Sequence, residues 1–200
     1  MGKLEKIILL FQHIISRFHT SFIRISEKNV TIGKGTVVYF KSSICNASHG
    51  GGVRIGSKCK FGRSKRRYHV GMPFYSSIFN DGEKSSIIIG DNCRINGAYI
   101  HAKKKIIIGD NCIMASGISI LDSNGHQVVS QNRTLGSDSA EPIIIGNNVW
   151  VGINAIILKG TEIGDNCIIS AGSVCKGVFP KNCIISGNPA TIVKVLDIPI

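Results

Sequence analysis

Apolar and polar positions along most of this chain follow a period that neither a simple strand nor a helix explains. The pair Ile-Gly recurs at Ile32-Gly33, Ile55-Gly56, Ile89-Gly90, Ile108-Gly109, Ile145-Gly146 and Ile163-Gly164, with gaps of 23, 34, 19, 37 and 18 residues. Stepping by six from Ile145 gives Val151, Ile157, Ile163, Ile169 and Cys175, all apolar or small. Stepping from Ile108 gives Met114 and Ile120. A strand alone has period two and a helix 3.6. Four residues after each Ile of the pair stand Thr36, Cys59, Cys93, Cys112, Val149 and Cys167, every one small. The pattern predicts a triangular coil of three short strands per turn of roughly 18 residues, with coils about 4.8 Å apart. The isoleucines point inward, and turns such as Gly90-Asp91-Asn92 make the corners. The predicted fold is all-β, a parallel β-helix of six to seven coils.

Two stretches break the count. One lies between about Lys65 and Ser86, the other between about Asp122 and Pro142. A solenoid that interrupts its stacking there offers candidate functional loops. Before the coils, Leu4, Ile7, Ile8, Phe11, Ile14, Ile15, Phe18, Phe22 and Ile25 recur at helical spacing, with Lys3, Lys6, Arg17 and Arg24 off the stripe. This amphipathic helix is expected to cap the open first coil. Contact with a membrane surface is the alternative. The expected organisation is a helix over 1–26, a β-helix domain over 27–190 and a tail over 191–200.

Composition agrees. The chain of 200 residues holds 35 Ile and only 7 Leu, a bias toward strands. No apolar run approaches the length of a membrane span. The seven cysteines form no C-x-x-C pair, and four share one repeat slot, so they read as small core residues in a reducing, cytoplasmic setting. The N-terminus lacks the pattern of a signal peptide. The net charge of +12 favours anionic partners, while aromatic residues at 6% and the absence of a nucleic-acid motif argue against nucleic acid.

Ile-Gly-Asn-Asn-Val-Trp-Val-Gly at 145–152 and Ile-Gly-Asp-Asn-Cys-Ile-Ile-Ser-Ala-Gly-Ser-Val at 163–174 resemble the left-handed β-helix, hexapeptide-repeat acyltransferases. Ser186-Gly-Asn-Pro-Ala resembles the family's ending. The late block most resembles bacterial O-acetyltransferases of sugars and surface polysaccharides. The resemblance implies a left-handed coil, a homotrimer with active sites between subunits, acetyl-CoA as acyl donor, and direct transfer to a carbohydrate hydroxyl. It implies no metal.

A hydroxyl attacking a thioester needs a base, and imidazole titrates near working pH. His126, in Leu121-Asp-Ser-Asn-Gly-His, resembles the family's catalytic loop. Asp122 either orients that imidazole or caps a turn. By resemblance, the Ile153 N–H serves the oxyanion, Gly152 allows the thioester a close approach, and Ala171 offers a backbone contact to the pantetheine arm. Trp150 either lines the acceptor cleft or packs in the core. Asn96 falls at the offset of the family's acceptor-binding Asn. Where several relatives carry an acid a little later on that coil, this chain reads His101-Ala-Lys-Lys-Lys, which points toward an anionic acceptor. The lysine many relatives place after the Ala-Gly block is displaced by one here, leaving Lys176 and Lys194 as phosphate partners. The basic clusters 65–67 and 103–105 are either solvated surface or attract that acceptor.

Three rival readings remain at this level. One is an N-acetyltransferase of an amino sugar. Another is a γ-type carbonic anhydrase, which needs three imidazoles around zinc. The third is a non-catalytic scaffold.

Overall fold

A computed structural model describes residues 3–62, 68 and 70–198. The cluster 65–67 and His69 lie outside the described residues. Helix α1 (Lys3–Ser26) precedes twenty-one strands that wind through three sheets in turn. The first sheet is β1 (Val30–Ile32), β4 (Gly52–Ile55), β7 (Ser86–Ile89), β10 (Lys105–Ile108), β13 (Ile143–Ile145), β16 (Glu162–Ile163) and β19 (Val178–Phe179). The second is β2 (Val37–Val38), β5 (Lys60–Phe61), β8 (Arg94–Ile95), β11 (Ile113–Met114), β14 (Trp150–Val151), β17 (Ile168–Ile169), β20 (Cys183–Gly187) and β21 (Ala190–Val195). The third is β3 (Ser43–Asn46), β6 (Ser77–Asn80), β9 (Ala98–Ala102), β12 (Ile118–Leu121), β15 (Ile156–Leu158) and β18 (Val174–Cys175). Each strand from β1 to β20 pairs in parallel with the strand one coil away, which is a three-sided parallel β-helix.

The repeat has a direct physical cause. Ile32, Ile55, Ile89, Ile108, Ile145 and Ile163 stack in register along the first sheet, and Phe179 closes the row. The glycine after each Ile sits against the next coil: a Cβ on Gly90 would lie 2.7 Å from the backbone carbon of Gly109. The small slot four residues on from each Ile is buried. Four of its side chains, Thr36, Cys59, Cys93 and Cys112, donate to that glycine's carbonyl one coil away. Thr36 Oγ1 reaches Gly56 O at 2.6 Å, Cys59 Sγ reaches Gly90 O at 3.1 Å and Cys93 Sγ reaches Gly109 O at 3.1 Å. Cys183 belongs to the same column, with Cys167 Sγ 3.4 Å from its sulfur. At the corners, Asn92, Asn111, Asn148, Asn166 and Asn182 hold positive φ, a conformation asparagine tolerates. Neighbouring asparagines bond across coils, as Asn166 Nδ2 does to Asn182 Oδ1 at 2.8 Å.

Three expectations need correction. The first insertion ends earlier than 86, because Ser77–Asn80 re-enter the third sheet as β6 between β3 and β9. Residues 191–195 of the expected tail form a strand. β21 folds back antiparallel on β20 and covers the last coil, whose edge would otherwise stand open. Helix α1 caps the first coil, but with the opposite face. Ser16, Thr20 and Ile23 are its buried residues; Thr20 Oγ1 accepts the Val38 N–H at 2.9 Å, and Ser16 Oγ accepts the Phe40 N–H at 3.1 Å. The apolar stripe turns outward, leaving Phe18 73% and Ile25 87% exposed. The first coil presents orphan backbone groups, and hydroxyls satisfy them where an apolar stripe cannot.

Candidate active site

The edge between the second and third sheets carries most of the predicted site. Asn96 follows β8 and Gly152 follows β14. Ile95, Met114 and Val151 are in register, so Asn96 and Gly152 lie two coils apart on one edge, about 10 Å along the axis. Asn96 is nearly buried and opens on a hollow of 240 Å³ that it lines with Tyr39, Lys60, Gly62 and Arg94. Lys60 and Arg94 are register partners, so the hollow carries two adjacent cations and, among the described residues, no acid. The first insertion leaves the coil at this edge and folds along it. Ser116 Oγ donates to Gly71 O at 2.6 Å, and Gly97 N–H donates to Ser76 Oγ at 2.8 Å.

Trp150 is not a core residue. Its side chain faces outward on β14 between Ile113 and Ile168 and is 54% exposed. Ile153 and Ala171 sit at the same edge as Gly152. Among the described residues neither backbone N–H has a protein acceptor, whereas the Gly172 N–H is taken by Ile153 O at 2.8 Å. The absence of a side chain at Gly152 has a structural reason: a Cβ there would lie 2.6 Å from the Ala171 nitrogen, so coil stacking itself demands glycine.

The second insertion leaves from the other edge of the third sheet, between β12 and β13. Its neck is closed by Glu141 N–H donating to Asp122 O at 2.9 Å. Asp122 is buried, and its carboxylate accepts the backbone N–H groups of Lys103, Lys104 and Lys105 at 2.8, 2.7 and 2.8 Å. Both oxygens serve that turn, so Asp122 is a cap and does not orient His126.

Facing the loop from the end of β15, Lys159 is only 8% exposed. Its ammonium donates to Asp138 Oδ2 at 2.5 Å and Ser139 O at 2.9 Å, and lies 3.5 Å from Glu141 Oε1. Asp138 in turn accepts Asn124 Nδ2 at 2.6 Å, two residues before His126. The Lys159 ammonium holds the Asp138 carboxyl below the usual carboxylate range, and Asp138 raises Lys159 in return. Within this clamped loop His126 is exposed, and its imidazole has no partner among the described residues.

One chain therefore gathers Asn96, Trp150, Gly152, Ile153 and Ala171 along one edge and puts the root of the His126 loop across the third sheet. Lys176, just after β18, is on the His126 side, while Lys194 is on β21 opposite Ile184; both are exposed. Sequence reasoning missed Lys159, whose signal was a lysine in an apolar strand end facing the acids Asp138 and Glu141. It also missed the pair His101 Nε2 to Asp81 Oδ1 at 2.7 Å. Lys103 Nζ lies 3.7 Å from the other Asp81 oxygen, so its charge is shared, while Lys104 and Lys105 are exposed. Among the described residues no group of three His, Cys, Asp or Glu side chains is arranged to hold a metal ion.

Comparison with known proteins matches two segments to family models: a bacterial transferase hexapeptide (six repeats) at 142–177 and a hexapeptide repeat of succinyl-transferase at 86–122. Both matched segments carry the transferase-type hexapeptide repeat and lie within the coil. It is 36% identical over 130 residues to the galactoside O-acetyltransferase of Escherichia coli, a match covering 64% of this chain and 54% of the relative. It spans 60%, 54% and 60% of the length of three curated relatives. A solved galactoside acetyltransferase in complex with coenzyme A superposes with a TM-score of 0.55 at 33% identity, covering 60% of each chain. The polySia specific acetyltransferase NeuO shares the fold with a TM-score of 0.62 at 22% identity, covering 87% of this chain and 86% of that one.

Proposed function

We propose that this protein is an acetyl-CoA-dependent O-acetyltransferase that moves an acetyl group directly to a hydroxyl of a sugar or surface polysaccharide. The observation that carries the reading is His126: a free imidazole at the head of a loop braced by Asp122 and Lys159, in a chain related to a galactoside O-acetyltransferase. The reading includes a left-handed coil and a homotrimer. The split between the two edges of the third sheet supports the trimer, because a neighbouring subunit would bring a His126 loop to an edge that lacks one.

In the reaction, His126 takes the acceptor's proton as its oxygen attacks the thioester carbonyl, and then returns it to the departing thiolate. The unpartnered Ile153 N–H is the donor for the oxyanion that develops, and as a fixed backbone group it needs no reorganisation. Ala171 N–H holds the pantetheine arm, and Lys176 and Lys194 bind the donor's phosphates. Coenzyme A bound to a relative, together with these unpartnered edge amides, supports the fit. Asn96 binds the acceptor, and Trp150 gives its ring an apolar shelf.

The Lys60–Arg94 pair beside Asn96 supports an acidic acceptor. Cations this close attract an anion and reject other cations. The test is acetyl-CoA turnover against neutral, amino and acidic glycans, with products read by mass spectrometry. The reading expects O-acetylated acidic glycan as the main product. An N-acetylated amino sugar as the sole product, or no turnover with any glycan, overturns it.

A further inference from the structure

Helix α1 contradicts the usual economy of a surface helix, which buries its apolar side. Here the docked line is Ser16, Thr20 and Ile23, while Leu4, Phe11, Phe18 and Phe22 are each at least half exposed. At 100° per residue the exposed apolar arc is about 160° wide and centred opposite the docked line. It runs the length of a helix of 24 residues, about 36 Å. Apolar patches this continuous mark a contact surface.

The charge pattern selects the occupant. Lys6, Arg17 and Arg24 fall within about 20° of one line along a border of the arc. Glu5 is the one acid in the helix, and the whole chain carries +12. A second copy would bring a second positive surface to this border. A lipid surface of negative charge supplies apolar depth for the phenylalanines and counter-charge for the basic row. Among the described residues no helix is long and apolar enough to cross a membrane, so α1 would lie in the interface plane. We propose that the outward face of α1 docks the protein on an anionic phospholipid bilayer. The proposal does not rest on the catalytic reading.

Arg24 also donates to the carbonyls of Ile32 and Gly33 at 3.1 and 3.0 Å, so it ties the helix to the coil and is left intact in the test. The full chain is floated with vesicles of phosphatidylcholine alone, and with vesicles in which about a third is phosphatidylglycerol. Wild type should float with the anionic vesicles at least tenfold more strongly, and less so in high salt. Lys6→Gln with Arg17→Gln should weaken anionic binding by roughly 30-fold, about fivefold for each charge. Phe11→Ser, Phe18→Ser and Phe22→Ser combined should abolish flotation while the urea midpoint and the mass by light scattering stay unchanged. Wild type that does not float, or a triple variant that floats as well as wild type, overturns the proposal. A triple variant of reduced mass also overturns it, because the stripe then belongs to a contact between copies.

Discussion

Asp122 accepts the backbone N–H of Lys104 at 2.7 Å and, through its two oxygens, the flanking amides of Lys103 and Lys105 as well. The residue that begins the His126 loop is thus bonded to the turn one coil below it. The loop's root is tied to the β-helix through backbone amides that any residue but proline at 103–105 would supply.

Asp122→Asn keeps the shape but replaces one acceptor oxygen with a donor that faces N–H groups. The expected cost is about 2–3 kcal/mol of stability, read from the urea midpoint. A variant as stable as wild type would mean that the cap contributes little.

Lys159→Met removes the buried ammonium from Asp138 and Ser139 while roughly preserving volume. Misplacing a catalytic group by about 1 Å costs on the order of 100-fold. We expect kcat to fall about 10–100-fold with the KM for acetyl-CoA unchanged, and Lys159→Arg to restore part of the loss. An unchanged kcat in Lys159→Met would separate the clamp from catalysis.

The same clamp has a defined pH window. Asp138 is lowered in the folded protein, so its contribution is present above the ordinary carboxylate range and is lost as pH falls through the lowered value. Lys159 is raised, so its contribution is present below the ordinary lysine range and is lost as pH rises through the raised value. Hydrogen exchange over residues 122–142 should therefore be equally protected from about pH 5 to 10, after correction for intrinsic rates, and should open only outside it. Opening near pH 6.5 would assign the switch to a histidine instead.

His126→Ala should lose about 10²–10⁴-fold in turnover, the usual contribution of a positioned base, while acetyl-CoA still binds by calorimetry. An unchanged rate removes His126 from the mechanism.

The cysteine column should be inert. Six of the seven thiols are buried and none is in a disulfide. Burial raises Cys175 to about 11, and the neighbouring Cys112 side chain helps push Cys93 to about 12, while Cys93 lowers Cys112, a thiol that burial keeps from reagents. A thiol reagent at neutral pH should label Cys45 alone in the native protein and all seven cysteines after denaturation. Rapid native labelling of more than one would contradict the packing.

The sequence alone determined the coil, because a β-helix is a nearest-neighbour structure. Each Ile-Gly pair meets only its copies one coil away, so a period of six, a glycine that cannot carry a Cβ and a small slot four residues on are printed in the order of residues. The second insertion was legible for the same reason, since 122–142 interrupts a strict count.

What the linear pattern lacks is direction and partnership. Helical spacing shows that α1 has an apolar side, yet the open coil's orphan N–H and C=O groups selected the side bearing Ser16 and Thr20. Asp122 stood near His126 in sequence, but three backbone amides from the previous coil took its carboxylate. Lys159 was one lysine among many until folding brought Asp138 and Glu141 to its ammonium. Asn96 and Gly152 are 56 positions apart and share an edge only because their coils stack in register on the one coil between them. Those contacts join distant segments through side chains whose orientation is set by packing, and only the tertiary structure decides them.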